Sequence, residues 1–341
     1  MAPSSKKDRT TNSGEAGKKG RSRAVLSATA VAAALAVMGV GVAVTGGGNG
    51  GSDGGKAAAS SEKESQHGKA SAKEAAGSKD ELRDMAGGGG RAPSGTFSNR
   101  VVTWNLHGPG RHSAYEQARQ IAQYRPGVIG FQEACKTKVD RIARALKKVH
   151  KLDYHVTYGT VNRKRGQCGG IFKGGAYGQA MLTAAPAKDA VNTRYSRGGT
   201  EPRGYMAVTV PVAGKDVRVF NTHFAQKTEG DPQTEVRAQQ ARELEAAARP
   251  HNRAVVLGDF NTLPSSSELA PVWQHFADAD PYCGAKPDAR CQGTIGTPPQ
   301  RKKLDFILLR RGAFNPPGVG VHDPQGQSDH SLVHADLKPL F

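Results

Sequence analysis

The sequence predicts an α/β domain in which two mixed β-sheets pack face to face with helices outside. Two observations on the C-terminal part of the 341-residue chain lead there: strand and helix signals alternate in its outer parts, and a run of strand signals fills its middle. A third observation bounds the domain. Residues 1–94 contain no aromatic side chain, and from about Gly46 to Gly90 they are mostly Gly, Ala, Ser, Lys and Glu. Such a stretch buries too little apolar surface to offset the entropy of ordering it. One domain is therefore expected over residues 95–341, preceded by a disordered linker at 46–94.

Ahead of the linker, a basic segment over residues 1–23 leads into an uncharged Ala/Val-rich run from Ala24 to Thr45. At about 1.5 Å per helical residue the run is just long enough to span a bilayer, and the basic end would then be cytoplasmic. A signal-peptide core is shorter, about 7–15 residues, and the small residues at the end of the run suit cleavage. Both readings mean export, either to the cell membrane with the domain outside or into the medium.

Within the domain, Val101-Val102-Thr103-Trp104 opens as a strand. Tyr115 to Tyr124 has helical spacing and is ended by Arg125-Pro126-Gly127. Val128-Ile129-Gly130-Phe131 reads as a buried strand. Val139 to Val149 reads as an amphipathic helix with Val139, Ile142, Leu146 and Val149 on one side and Lys/Arg on the other. Tyr154 to Tyr158, Gly170 to Phe172, Ala180 to Thr183, Met206 to Val210 and Val217 to Thr222 follow as short strands separated by Gly, Pro or Asp turns, which suggests a meander. Glu235 to Ala248 is a helix, Ala254 to Leu257 a buried strand, Phe306 to Leu309 another and Leu332 to Leu337 the last.

Four cysteines occur, all in the domain. An even count in an exported chain favours disulfides, and the expected pairing joins the close pair Cys283–Cys291 and, with it, Cys135–Cys168. No Cys-x-x-Cys spacing supports a zinc site. The formal net charge is +18, and the basic excess extends into the domain. A basic surface suits a polyanion such as nucleic acid through counterion release, and equally favours anionic envelope polymers. Arg163-Lys164-Arg165, between Asn162 and Gly166, is one candidate polyanion contact. No feature points to a protein partner, and a monomer is expected.

Chemistry concentrates at the ends of the apolar runs, in Thr103-Trp104-Asn105, Gln132-Glu133, Asn221-Thr222-His223, Gly258-Asp259-Phe260-Asn261, Leu304-Asp305-Phe306 and Ser328-Asp329-His330. Strand-end side chains converge on one rim of a sheet. Asn105 and Glu133 offer oxygen without sulfur, the donor set of a magnesium- or calcium-type ion. Asp259 and Asn261, two residues apart, point the same way from an extended segment, one accepting from water and the other donating to phosphate. Asp329 and His330 project differently and suit different tasks: the acid the metal, the imidazole the scissile phosphate, with Asp305 as the carboxylate that fixes its tautomer. His223 supplies a second imidazole, and Arg203 a candidate phosphate clamp.

With these six motifs in one order, the chain resembles the endonuclease/exonuclease/phosphatase superfamily over roughly Asn99 to the C-terminus, as a DNase I-like, exported member of actinobacterial type. The resemblance implies a four-layer α/β sandwich and divalent-metal hydrolysis of phosphoesters. It implies Mg²⁺, with Ca²⁺ or Mn²⁺ as substitutes, on Glu133 with Asn105 and Asp329, and water and phosphate positioned by Asp259 and Asn261. His330, held by Asp305, and His223 share phosphate stabilisation and proton transfer, while the metal and Arg203 stabilise charge at phosphorus. Asp259 and His330 are rival general bases.

His223 groups the chain with DNase I and the sphingomyelinases rather than with exonuclease III-type repair enzymes, which usually have Asn there and a Tyr shortly before it. Here Val219-Phe220 stands in that place. The nearest match to the Glu that supports the first His in DNase I-like enzymes is Gln179. The leading expectation is an exported DNase I-like phosphodiesterase acting on nucleic acid. The alternative is a sphingomyelinase-like or inositol-phosphate-type phosphoesterase. A non-catalytic binding module is disfavoured because Glu133, Asp259 and His330 are all present.

Overall fold

Neighbouring residues of the first strand serve different cores, and that alternation organises the molecule. In β1 (Phe97–Asn105) Val101 packs into a core shared by two sheets, whereas Val102 and Trp104 pack against helices. Successive side chains of a strand leave opposite faces. A strand buried on both faces therefore reads as the continuous apolar run seen here.

The computed structural model describes residues 95–108, 112–164, 168, 175–315 and 317–341. The expected basic segment, Ala24–Thr45 run, linker, Gly170–Phe172 strand and Arg165 lie outside the described residues, as do the side chains of Arg163 and Lys164. Among the described residues no helix is long and apolar enough to cross a membrane.

After β1 come helix α1 (Ala114–Tyr124), β2 (Pro126–Cys135), α2 (Lys136–His150), β3 (His155–Lys164) and β4 (Gly175–Thr183). Then follow β5 (Lys188–Arg194), β6 (Gly204–Val212), β7 (Lys215–His223), α3 (Thr234–Ala248), β8 (Ala254–Asp259) and α4 (Ala270–His275). The chain closes with β9 (Phe276–Asp278), β10 (Asp305–Arg310), β11 (Gly318–His322) and β12 (Leu332–Asp336). Two six-stranded mixed sheets result, ordered β11-β12-β1-β2-β4-β3 and β5-β6-β7-β8-β10-β9. Val101, Val128, Val208, Val219, Leu257 and Ile307 belong to the core between the sheets. Ile121, Ile142 and Leu146 of α1 and α2 cover the first sheet, and Ala241, Leu244 and Trp273 of α3 and α4 cover the second. The expected four-layer sandwich is thus present.

The expected meander is not one sheet. The chain crosses from the first sheet to the second after β4, so β3 and β4 pair in one and β5, β6 and β7 in the other. Both disulfides form as expected, Cys135–Cys168 and Cys283–Cys291.

A polar stitch crosses the inter-sheet core just below the rim. Gln132 Nε2 donates to Asn221 Oδ1 (2.6 Å) and Thr103 Oγ1 (3.0 Å), and Asn221 Nδ2 donates to the Phe131 and Ala180 carbonyls (2.8 and 3.1 Å). Pairing of this kind offsets the cost of burying these donors. Gly130 makes room for it, since a Cβ there would lie 2.9 Å from Asn221 Oδ1.

Candidate active site

Strand register carries the chemical residues to a common edge. β1 and β2 run parallel, as do β7 and β8, so Asn105, Glu133, His223 and Asp259 all stand at or near C-terminal strand ends. β10 runs antiparallel to β8, so its first residue, Asp305, lies opposite Asp259. Asp259 has the parity of Val255 and Leu257, and Asn105 that of Val101 and Thr103, so each turns toward the other sheet. They meet there: Asn105 Nδ2 donates to Asp259 Oδ2 (3.0 Å) and to Glu133 Oε1 (3.3 Å). Glu133 sits at a register shift in β2 with φ of 49°, which leaves it partly exposed between buried Gln132 and Ala134.

His330 completes the centre of the cluster. Its Nδ1 is 2.8 Å from Asp305 Oδ2 and its Nε2 is 3.7 Å from Asp259 Oδ2. The Trp104 indole donates to the His330 carbonyl (3.0 Å), and Ser328 Oγ accepts from the His330 amide (3.1 Å), which fixes the backbone that carries the ring. Burial opposes charge on His330, but Asp305, Asp259 and Asp329 outweigh it and raise its pKa to about 10. At neutral pH the ring is an imidazolium whose Nδ1–H donates to Asp305. Asp259 moves toward neutrality as well: burial, reinforced by Asp305 and opposed by His330, lifts its carboxyl to about 6.

His223 is held differently from the expectation. Gln179 Nε2 donates to the Gly204 carbonyl (2.5 Å) and does not support the ring. Arg203 takes that position instead, with Nη1 2.8 Å from His223 Nδ1 and Nη2 2.7 Å from Glu201 Oε1. Arg203 is buried (3 % exposed) and lies behind His223 rather than open to solvent. A guanidinium only donates, so Nδ1 must present its lone pair and the ring proton sits on Nε2. Nε2 faces Asp259 Oδ2 at 3.5 Å. Burial, then the charges of Arg203 and His330, push the His223 pKa well below its ordinary value. His223 is thus a neutral donor, in contrast to charged His330. Asn261 Nδ2 lies 3.0 Å from His223 Nε2, which as the protonated ring nitrogen does not accept from it, and donates to the Phe224 carbonyl (3.1 Å), while the Asn261 amide donates to Asp259 Oδ1 (2.9 Å).

Asp329 joins at the margin. Ser328 Oγ donates to the Asn105 carbonyl (2.7 Å), and Asp329 Oδ1 lies 3.3 Å from His107 Nδ1. The cluster therefore unites Asn105, Glu133, His223, Asp259, Asn261, Asp305 and His330, with Asp329 beside it and Arg203 reaching it through His223. His107 and Glu201 had no signal in the sequence, because neither stands in a strand-end motif; His107 enters through tertiary contact with Asp329, and Glu201 through Arg203, whose own place behind His223 is set by tertiary contact.

The donor set fits a hard divalent cation. Glu133 and Asp259 bring two carboxylates together on the Asn105 carboxamide and offer oxygens to an ion, whereas Asn105 turns its Nδ2 toward them and its Oδ1 accepts from the His107 amide (3.0 Å). Asp259, Asp305 and His330 also place one ligand atom each within 4.8 Å of one another. In that trio the hydrogen bond between Asp305 and His330 already engages one atom of each of those two, so Glu133 and Asp329, with Asn105 after rotation of its carboxamide, remain the better candidates for an ion.

Similarity to other proteins agrees with this geometry. Among curated proteins none matches the sequence. The solved endonuclease/exonuclease/phosphatase family protein from Leptotrichia buccalis is 17 % identical, with a TM-score of 0.55, over 70 % of this chain and 99 % of that one. That from Beutenbergia cavernae is 22 % identical, with a TM-score of 0.56, over 70 % and 71 %. D. rerio TDP2, solved with a single-strand DNA product, is 19 % identical, with a TM-score of 0.51, over 70 % and 98 %. These likenesses show the fold. Members of the family are phosphoric ester hydrolases and generally depend on a divalent metal. The family's sequence pattern matches residues 102–330, which span every residue of the cluster, and the chain belongs to the endonuclease/exonuclease/phosphatase family.

Proposed function

We propose that this chain is an exported, metal-dependent phosphodiesterase of DNase I type that hydrolyses nucleic acid outside the cytoplasm. The observation that carries the chemistry is the Asp259–His330–Asp305 line, in which a carboxylate of pKa about 6 stands 3.7 Å from an imidazolium of pKa about 10. A group near 6 is ionised at neutral pH yet basic enough to take a proton from water. A group near 10 keeps its own. This favours Asp259 over His330 as general base and makes His330 the cationic donor.

In this reading Asp259 accepts a proton as water oxygen bonds to phosphorus. His330 Nε2–H and neutral His223 Nε2–H donate to the non-bridging oxygens, where negative charge grows. The P–O bond to the departing sugar oxygen breaks, that oxygen leaves with the bonding pair, and solvent protonates it. Asn261 orients Asp259 through its backbone amide, and Asp305 stabilises the imidazolium. Glu133, Asn105 and Asp329 would hold Mg²⁺, which supplies Lewis-acid stabilisation of phosphate charge when bound.

The basic composition, with a net charge of +18, supports a polyanionic substrate, and the Ala24–Thr45 run supports export as an anchored or secreted enzyme. The test is a substrate panel with the full chain: plasmid DNA, RNA, sphingomyelin vesicles and inositol phosphates, each with Mg²⁺, Ca²⁺, Mn²⁺ or chelator. Metal-dependent cleavage of nucleic acid is expected. Hydrolysis of lipid or inositol phosphate with nucleic acid left intact would overturn the substrate assignment and favour the sphingomyelinase-like alternative.

A further inference from the structure

Arg237 in α3 and Glu268 in the turn Ser267–Leu269 form an ion pair closed to solvent, which the chemistry above does not use. The pair is bidentate: Arg237 Nε donates to Glu268 Oε2 (3.0 Å) and Nη2 to Oε1 (2.9 Å). The guanidinium also reaches the backbone, with Nη1 donating to the Ala225 carbonyl (3.0 Å) and Nη2 to the Pro232 carbonyl (2.6 Å). Burial opposes the charge of Glu268, but hydrogen bonds from Arg237 and then Thr262, with the Arg237 charge, outweigh it and hold the carboxyl below its ordinary value. Every nitrogen of this buried guanidinium is thus partnered.

The partners of the pair adjoin the catalytic cluster. Ala225 follows His223 and Phe224 along the chain, and its amide donates to Gln240 Oε1 (2.8 Å), so α3 grips both backbone groups of that residue. Thr262 follows Asn261, whose φ of 49° is left-handed. The two segments are tied to each other as well: the Phe224 amide donates to the Asp259 carbonyl (2.9 Å), and Asn261 Nδ2 donates to the Phe224 carbonyl (3.1 Å). The chain leaving β7 with His223 and the chain leaving β8 with Asp259 and Asn261 are therefore pinned to one ion pair.

Stability alone does not account for such a pair. Replacing a buried ion pair by apolar residues of similar volume is often neutral or stabilising, whereas removing one partner leaves an uncompensated charge and is strongly destabilising. What the charges add is geometry. A planar guanidinium that meets a carboxylate with two parallel bonds fixes direction as well as distance, and apolar contacts let their segments slide.

We propose that Arg237 and Glu268 are positioning residues that hold His223 and Asn261 in place around Asp259 for phosphodiester hydrolysis. The proposal rests on the roles given above to His223, Asp259 and Asn261 and deepens them. Neither residue touches the phosphate: Arg237 acts through the backbone of Ala225, and Glu268 through Thr262. Glu133 and Asp329, the candidates for the ion, adjoin strands of the first sheet, so ion binding does not depend on the pair.

The test uses the full chain with Arg237→Met and Glu268→Leu together, and separately with Arg237→Lys, which keeps a cation but lacks the fork that serves the carboxylate and both carbonyls. Urea unfolding, kinetics on bis-p-nitrophenyl phosphate over a Mg²⁺ series, and NMR of the His223 ring and the Asn261 carboxamide are compared with wild type. Both variants should unfold cooperatively and lose kcat about 10- to 100-fold, since a displacement of about 1 Å can cost about 10²-fold. KM and the half-saturating Mg²⁺ concentration should stay within about threefold. The His223 and Asn261 signals should shift or broaden, while those of the His330 ring, held by Asp305 and the Trp104 indole, stay in place. Should the double variant fail to fold, Arg237→Lys decides, and collapse of both would show a purely structural pair and overturn the proposal. A folded variant with kcat within about threefold of wild type, or with unmoved His223 and Asn261 signals, would also overturn it. So would a fall in kcat matched by equal rises in KM and in the Mg²⁺ requirement, which marks general loosening. Wild type inert toward every phosphodiester would remove the hydrolytic reading, and the NMR comparison would still decide the positioning.

Discussion

Replacing Asp305 by Asn removes the charge that keeps His330 protonated while preserving shape. Asp305 is fully buried, and its Oδ2 lies 2.8 Å from His330 Nδ1. With His330 at about 10, the wild-type ring holds its proton at pH 7 with about three pH units to spare, on the order of 4 kcal/mol at about 1.4 kcal/mol per unit. Asp305 is the largest of the causes that raise it, and one adjacent opposite charge typically commands about 1–3 units. The variant should therefore bring His330 down by about two units, because burial then meets less opposition. With the donor weakened and its orienting partner gone, kcat should fall about 10²- to 10⁴-fold while KM changes little. The assay pairs bis-p-nitrophenyl phosphate kinetics with an NMR titration of the His330 ring in isotope-labelled protein. The stability dependence has a definite sign. A histidine raised in the folded state contributes stability fully below its unfolded pKa of about 6.5, and loses it as pH climbs through about 10. Wild type should thus lose more thermal stability than Asp305→Asn across that window. A variant with kcat within threefold of wild type, or with His330 still near 10, would refute the pairing.

Three further outcomes follow from other parts of the site. The pH profile of kcat/KM should rise through about 6 as Asp259 ionises and fall through about 10 as His330 loses its proton; a rise through the alkaline limb would instead make neutral His330 the base. Glu133→Gln should leave the fold intact and raise the Mg²⁺ concentration needed for half-maximal rate at least tenfold, and near-normal rates at limiting Mg²⁺ would remove Glu133 from the ion. Asn221→Ala should cost about 1–3 kcal/mol in urea unfolding, because it removes one acceptor of Gln132, which keeps Thr103, and the side-chain donor to two buried carbonyls, and a loss below about 0.5 kcal/mol would show that the inter-sheet stitch is dispensable.

Much of this architecture was legible because the strands that carry the site are buried on both faces. Val128–Phe131 and Ala254–Leu257 are unbroken apolar runs and Val101–Trp104 is interrupted only by Thr103, and each ends where a polar motif must leave the core. The edges were less readable. β5 is exposed along its whole length, so Lys188–Arg194 shows no apolar periodicity, and three-residue β9 and Gly-rich β11 are too short to show any. The assignment of strands to sheets was also hidden, since β4 and β5 look alike locally whether or not the chain crosses between layers. Within the site, the His330–Asp305 pair could be anticipated from residue type alone: one imidazole and one strand-initial carboxylate. The Arg203–His223 contact could not, because an arginine beside a proline-containing turn reads as a surface cation. Only the β6–β7 register, which sets Gly204 opposite His223, brings the guanidinium behind the ring.

In the proposed mechanism Asp259 is the base of a metal-dependent phosphodiester hydrolysis and His330 stays charged. The most direct measurement is the hydrolysis of bis-p-nitrophenyl phosphate by wild type and Asp259→Asn, in chelator and after Mg²⁺ is restored. Wild type should be silent in chelator and recover with Mg²⁺, and the variant should remain at least 10²-fold slower at every Mg²⁺ concentration, the lower range for losing a general base. Full wild-type activity in chelator would remove the metal dependence, and a variant that Mg²⁺ restores to within threefold of wild type would remove Asp259 as the base.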